Sequence, residues 1–168
     1  MGSQRNLKDT VHLFIKKTLL GIWRIFPGRL QNIASRLIRP LFQVFSAAVI
    51  FNEQRQILLV KLTYQRFHPW GLPGGSLDYG EQPEEATLRE MFEETGITLE
   101  IEKLLLIKTW KPDRVGMYYL CRIKDGKFQP SEEVSEYGYF SQDNLPDVRP
   151  LDVGLIKQIY EMVEHELA

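Results

Sequence analysis

The strongest constraint on what this 168-residue chain can fold into is its segment Gly75–Ile97, GSLDYGEQPEEATLREMFEETGI. The front of the helix it predicts obeys local rules. Pro83 suits a first helical turn, and Glu84 and Glu85 lie where the macrodipole favours acids. Gly96 is a natural C-cap. The back of the helix breaks the same rules, because Glu90, Glu93 and Glu94 crowd together near the C-terminus. At about 100° per residue they share roughly a third of the circumference with Ala86, leaving Leu88, Met91, Phe92 and Thr95 for a core contact. Like charges at spacings of three and four cost about 0.2–0.5 kcal/mol per pair on an exposed helix, and the dipole adds to that. Local conflicts of this kind tend to mark functional sites. A divalent cation would relieve the repulsion.

An acidic run on a surface helix is ordinarily a solvated face, so the flanking residues have to decide. Arg89 adjoins the cluster and can orient a carboxylate through a bidentate pair. The stretch Gly71-Leu72-Pro73-Gly74-Gly75 allows backbone to approach a ligand or metal closely. An all-oxygen donor set suits Mg²⁺ or Mn²⁺ rather than zinc or copper. The helix holds no Glu-x-x-His, which argues against a carboxylate-bridged di-iron bundle.

Gly75, Glu81, Arg89, Glu90, Met91, Glu93, Glu94, Gly96 and Ile97 occupy every fixed position of the Nudix box, G-x5-E-x7-R-E-U-x-E-E-x-G-U with U apolar. The chain therefore resembles the Nudix hydrolases, and Trp70–Gly75 resembles that family's approach to the box. The resemblance implies an α/β protein, an α/β/α sandwich with a mixed β-sheet. It also implies a Mg²⁺-dependent pyrophosphohydrolase that cleaves a diphosphate bond in a nucleoside diphosphate linked to another moiety. Carried over by position, Glu90 and Glu94 are the principal metal ligands, Glu93 is a further ligand or the water-activating group, and the Gly75 carbonyl completes the shell. Arg89 holds Glu90, and Glu81 supports the loop–helix geometry. A carboxylate just before the last sheet strand is also expected at the metal, and Glu136 is preferred there over Glu133.

The rest of the chain is that of an ordinary globular protein, with 43% hydrophobic and 26% charged residues. Cys121 is the single cysteine, so there is no disulfide framework or thiolate metal site, and a buried structural thiol is expected. Val44–Phe51 and Gln56–Lys61 read as strands around the turn Asn52–Arg55. Leu104–Ile107, Met117–Ile123 and Tyr137–Phe140 read as further strands. Leu151–Leu167 reads as a helix with Asp152 as N-cap and Leu155, Ile156, Ile159, Tyr160 and Val163 on one face.

Substrate selectivity is weakly written. Trp70 and Tyr118, with Phe67, Tyr79 and Trp110, are candidates to stack on a base. Arg66, Lys111 and Arg114 are candidate phosphate binders, though an ordinary solvated cation is the more frequent role of such a residue. Pro112, 15 residues after Ile97, falls near a proline of ADP-ribose-cleaving relatives, while nucleotide sugars and oxidised nucleoside triphosphates stay equally open.

Residues 1–40 stand apart from the domain expected over 41–168. They carry eight Lys/Arg against one acid, net +7, whereas the remainder carries 13 basic and 21 acidic residues, net −8. Apolar positions recur at helical spacing over Val11–Phe26, and again from Leu30 to Ile38 after Pro27-Gly28, which predicts an amphipathic helical extension. Such a pair can pack on the domain or in a homodimer, lie peripherally on an anionic membrane, or act as an organelle-targeting leader. It is too short and too basic to span a bilayer. No secretory leader of the usual form and no nucleic-acid-binding motif is recognised, so a cytoplasmic protein, with membrane association through the arm, is expected. The rival to an enzyme is a non-catalytic Nudix domain that senses a nucleotide and uses the arm as an interaction module. The complete set of Glu90, Glu93 and Glu94 favours the enzyme.

Overall fold

A computed structural model describes residues 27–28, 41–110 and 112–166. In chain order the elements are β1 (Gln43–Ile50), β2 (Ile57–Leu62), β3 (Trp70–Gly71), β4 (Gly74–Ser76), α1 (Pro83–Thr95), β5 (Ile97–Trp110), β6 (Arg114–Gly126), β7 (Val134–Phe140) and α2 (Pro150–Glu166). One sheet is mixed, in the order β4-β1-β6-β5, with β1 parallel to β6 and antiparallel to β4. The other, β3-β2-β7, is antiparallel.

Strand alternation explains the layering. On β1, Ala47 and Val49 face one core while Ala48 and Ile50 face another, because successive side chains point to opposite faces. On β2, Ile57 and Leu59 join the first core and Leu58 and Val60 the second. The first core is capped by Leu155, Ile156, Ile159 and Tyr160 of α2, the second by Met91 of α1. This is the expected α/β/α arrangement with a mixed sheet, accompanied by a second, antiparallel sheet. β1 and β2 are buried on both faces, which is why they read as continuous apolar runs.

Several boundaries differ from the sequence reading. β5 runs from Ile97 to Trp110, far beyond Leu104–Ile107, because its first half alternates buried Ile97 and Leu99 with exposed Thr98 and Glu100. The two-residue β3 and three-residue β4 fall in the Gly/Pro-rich approach, where no propensity announces a strand; register with β1 and β2 makes them. Asp152 is not an N-cap. It sits inside the first turn of α2, where its carboxylate accepts from Arg149 Nε at 2.7 Å. On α1 the inward face is turned from the expected one: Ala86, Thr87, Met91, Glu94 and Thr95 are buried, and Phe92 is 59% exposed. Gly96 ends α1 in the left-handed region, φ 71°, with its N–H donating to the Phe92 carbonyl at 2.8 Å. Cys121 is free and buried, its thiol pushed up to about 12 by that burial.

By internal contacts the chain divides into Met1–Leu41 and Phe42–Ala168. The helices expected over residues 11–38 lie outside the described residues. Among the described residues no helix is long and apolar enough to cross a membrane.

Candidate active site

The site is organised around the guanidinium of Arg89, at the end of the second turn of α1. Its Nε and one Nη grip both oxygens of Glu81, at 2.8 and 2.9 Å. The other Nη donates to Glu90 at 2.9 Å and to Glu93 at 3.1 Å. The remaining donor reaches the Ser76 carbonyl at 3.3 Å. All five N–H donors are thereby committed, which ties β4, the loop before α1 and the acidic turn into one unit. Glu81 also accepts from the Asp78 N–H at 2.9 Å, and these donors hold its carboxyl down to about 2.

Glu94 is the anomalous acid. It is 5% exposed, and among the described residues its one hydrogen bond is from the Gly74 N–H at 3.3 Å. Burial, and then the charge of Glu90, push its carboxyl up to about 8. Burial also raises Glu90, against the opposing pull of Arg89. Gly75 lies flush against this pair: a Cβ there would fall onto the Glu90 carboxylate. A glycine cradle facing two half-satisfied carboxylates, with carbonyl oxygen at hand, is a donor set that fits a hard divalent cation. Among the described residues no three acids converge into a preset cage.

Glu90, Glu94 and Gly75 open onto a cavity of about 930 Å³. Of the other residues expected at the site, Trp70 and Tyr118 also line it, as does Trp110, whose indole N–H donates to the Tyr118 hydroxyl at 3.0 Å. Arg66, Phe67 and Tyr79 do not. Arg66 lies over the Phe67 ring, and Phe67 and Tyr79 are 74% and 107% exposed. Of the two acids weighed before the last strand, Glu136 does not line the cavity. Glu136 pairs across strands with Lys61, Nζ to Oε1 2.6 Å, and stays in solvent. Glu133, one residue before β7, lines the cavity instead, and its charge raises the proton affinity of both Glu90 and Glu94. Arg149 and Phe45 also line the cavity, and sequence reading passed over both. No local pattern marks them; chain topology brings them there. Lys111 lies outside the described residues.

A two-helix, two-sheet α/β fold with an arginine-clamped acidic helix facing a glycine cradle defines the class. The NUDIX domain family model matches residues 41–161, and the chain belongs to the Nudix family of hydrolases, which act on diphosphate bonds. It is 53% identical over 78 residues to a putative 8-oxo-dGTP diphosphatase of Bacillus subtilis, covering 46% of this chain and 44% of that protein. It is 31% identical over 104 residues to an ADP-ribose pyrophosphatase of Methanocaldococcus jannaschii, covering 58% of this chain and 61% of that one. The chain thus spans less than two thirds of either relative's length. Among solved structures, an ADP-ribose pyrophosphatase of Streptococcus suis superposes with a TM-score of 0.62 at 29% identity, covering 75% of this chain and 92% of that one.

Proposed function

We propose that this protein hydrolyses the diphosphate bond of a nucleoside diphosphate linked to another moiety, using Mg²⁺, with Mn²⁺ as a substitute. The observation that carries the reading is the buried Glu94 beside Glu90 and Gly75, an arrangement that is unfavourable for two anions unless a cation joins them. Glu90, Glu94 and the Gly75 carbonyl would hold the ion, with Glu133 the acid nearest to joining them. When bound, a divalent ion supplies charge neutralisation at the phosphate oxygens and acidifies water. Arg89 keeps Glu90 and Glu93 in register through the reaction. Glu93, exposed and paired with Arg89 at 3.1 Å, is assigned to take the proton from the attacking water as the new P–O bond forms and the second phosphate leaves. The cavity walls at Trp70 and Tyr118 would receive the base or its linked group. The names of the relatives put ADP-ribose and oxidised nucleoside triphosphates first among substrates.

The test is a phosphate-release screen over ADP-ribose, nucleotide sugars, dinucleoside polyphosphates and oxidised deoxynucleoside triphosphates. Wild type is expected to turn over at least one of them with Mg²⁺. Glu94→Gln should lose at least about 100-fold in kcat, the scale of removing one charge-stabilising group from a catalytic site. No turnover with nucleotide binding retained would instead establish a nucleotide sensor.

A further inference from the structure

The cavity carries one cation that the chemistry above leaves unused. Its lining includes two guanidiniums, those of Arg114 and Arg149. Arg149 is neutralised by Asp152 at 2.7 Å. Arg114 has no carboxylate partner among the described residues, and its Nε is buried without a hydrogen bond. Its guanidinium carbon sits 4.8 Å from the centre of the Phe45 ring, and Phe45 is itself braced edge-on by Tyr118, 5.9 Å away. Stacking of this kind fixes the guanidinium plane and leaves its edge N–H groups free for a bidentate acceptor. The contrast with Arg89, whose five donors are all committed, is direct.

Register shows where Arg114 stands relative to the acids. Gly75 lies across from Ser46 on one side of β1, and Arg114 lies across from Gln43 on the other. Three residues of strand rise and two strand spacings separate their backbones, about 10 Å in each direction. The anionic and cationic parts of the cavity are therefore set apart within one cavity that Trp70, Trp110 and Tyr118 also line.

We infer that Arg114 is a specificity-determining residue, reading a second anionic group (a phosphate or a carboxylate) carried on the part of the substrate remote from the scissile diphosphate. This rests on the diphosphatase reading. A neutral remote group leaves the guanidinium without an anionic partner, whereas an anion supplies acceptors for its N–H groups.

The experiment compares wild type, Arg114→Gln and Arg114→Lys on two matched pairs with Mg²⁺. NADP⁺ and NAD⁺ differ by one phosphate; UDP-glucuronate and UDP-glucose differ by a carboxylate. Wild type should favour the anionic member of one pair by about 10- to 100-fold in kcat/KM, the range of a charge-assisted hydrogen bond. Which pair shows the ratio tells phosphate from carboxylate. The ratio should collapse toward one in Arg114→Gln and survive in part in Arg114→Lys, with thermal melts confirming that both variants fold. A ratio near one in wild type for both pairs, or a ratio that persists in Arg114→Gln, overturns the inference. If wild type turns over none of the four and none of the substrates of the screen above, the diphosphatase reading is what has failed. Calorimetric binding of the same pairs then decides the role of Arg114: an affinity preference lost in Arg114→Gln supports it, and the lack of any preference overturns it.

Discussion

Glu94 shows most sharply how one side chain's surroundings govern both stability and chemistry. Its carboxyl is raised from 4.5 to about 8, first by burial and then by Glu90, so between those values the folded state keeps a proton that the unfolded chain has released. Stability from this group is therefore full below the unfolded value and is lost as pH rises through about 8. In metal-free buffer the melting temperature should fall between about pH 5 and pH 8, the loss amounting to a few kcal/mol at most. Glu94→Gln should flatten that slope, and an unchanged slope would remove Glu94 as its source. Mg²⁺ favours the ionised form, so its addition should raise the wild-type midpoint more at pH 8 than at pH 5.

At the scale of the element, α1 works because its two ends are fastened differently. The front is set by Pro83 and by a reciprocal pairing of Gln82 with Glu85. The back ends at Gly96, where φ is 71° and a Cβ would press on the Lys127 carbonyl at 3.3 Å. Gly96→Val should cost about 1–3 kcal/mol, the strain of a branched residue in the left-handed region, read as a shift in urea midpoint. Gly75→Ala tests the opposite end of the same unit. Its methyl would strike the Glu90 carboxylate, so activity should drop by at least about tenfold while the urea midpoint moves much less. Equal losses in both readouts would make Gly75 merely structural.

For the whole molecule, topology decides which distant residues join the box. Glu133 and Glu136 belong to one acidic cluster in sequence, yet β7 pairing sends Glu136 to Lys61 while the residue before the strand turns into the cavity. Glu133→Gln should accordingly lower turnover by about 10-fold or more, and Glu136→Gln should stay near wild type, as expected for an exposed ion pair. The reverse order would restore the original assignment. The basic arm makes a separate prediction: if it docks on anionic lipid, full-length protein should co-sediment with phosphatidylserine vesicles and a chain starting at Leu41 should not. Equal behaviour of the two removes the membrane role.

Residues 75–97 were legible because the conflict they contain is local. Acids at the wrong end of a helix, an arginine beside them and glycine before them can all be read from spacing, and the two-faced strands β1 and β2 announce themselves as unbroken apolar runs. Periodicity alone mistook Phe92 for a core residue and left Glu94 outside. Helix phase is relative until packing anchors it, and here Met91 packs into the second core while Glu94 is buried on the same helix. Arg149 and Phe45 had no signature at all, and nothing local chose Glu133 over Glu136, since their place depends on strand register between distant parts of the chain. What the sequence determined alone was local: a helix with acids crowded at its C-terminal end, an arginine beside them and a glycine run before it. What only the tertiary structure decided was which remote side chains face those acids, because a cavity is made by surfaces from separate strands meeting, and no short-range pattern records where they meet.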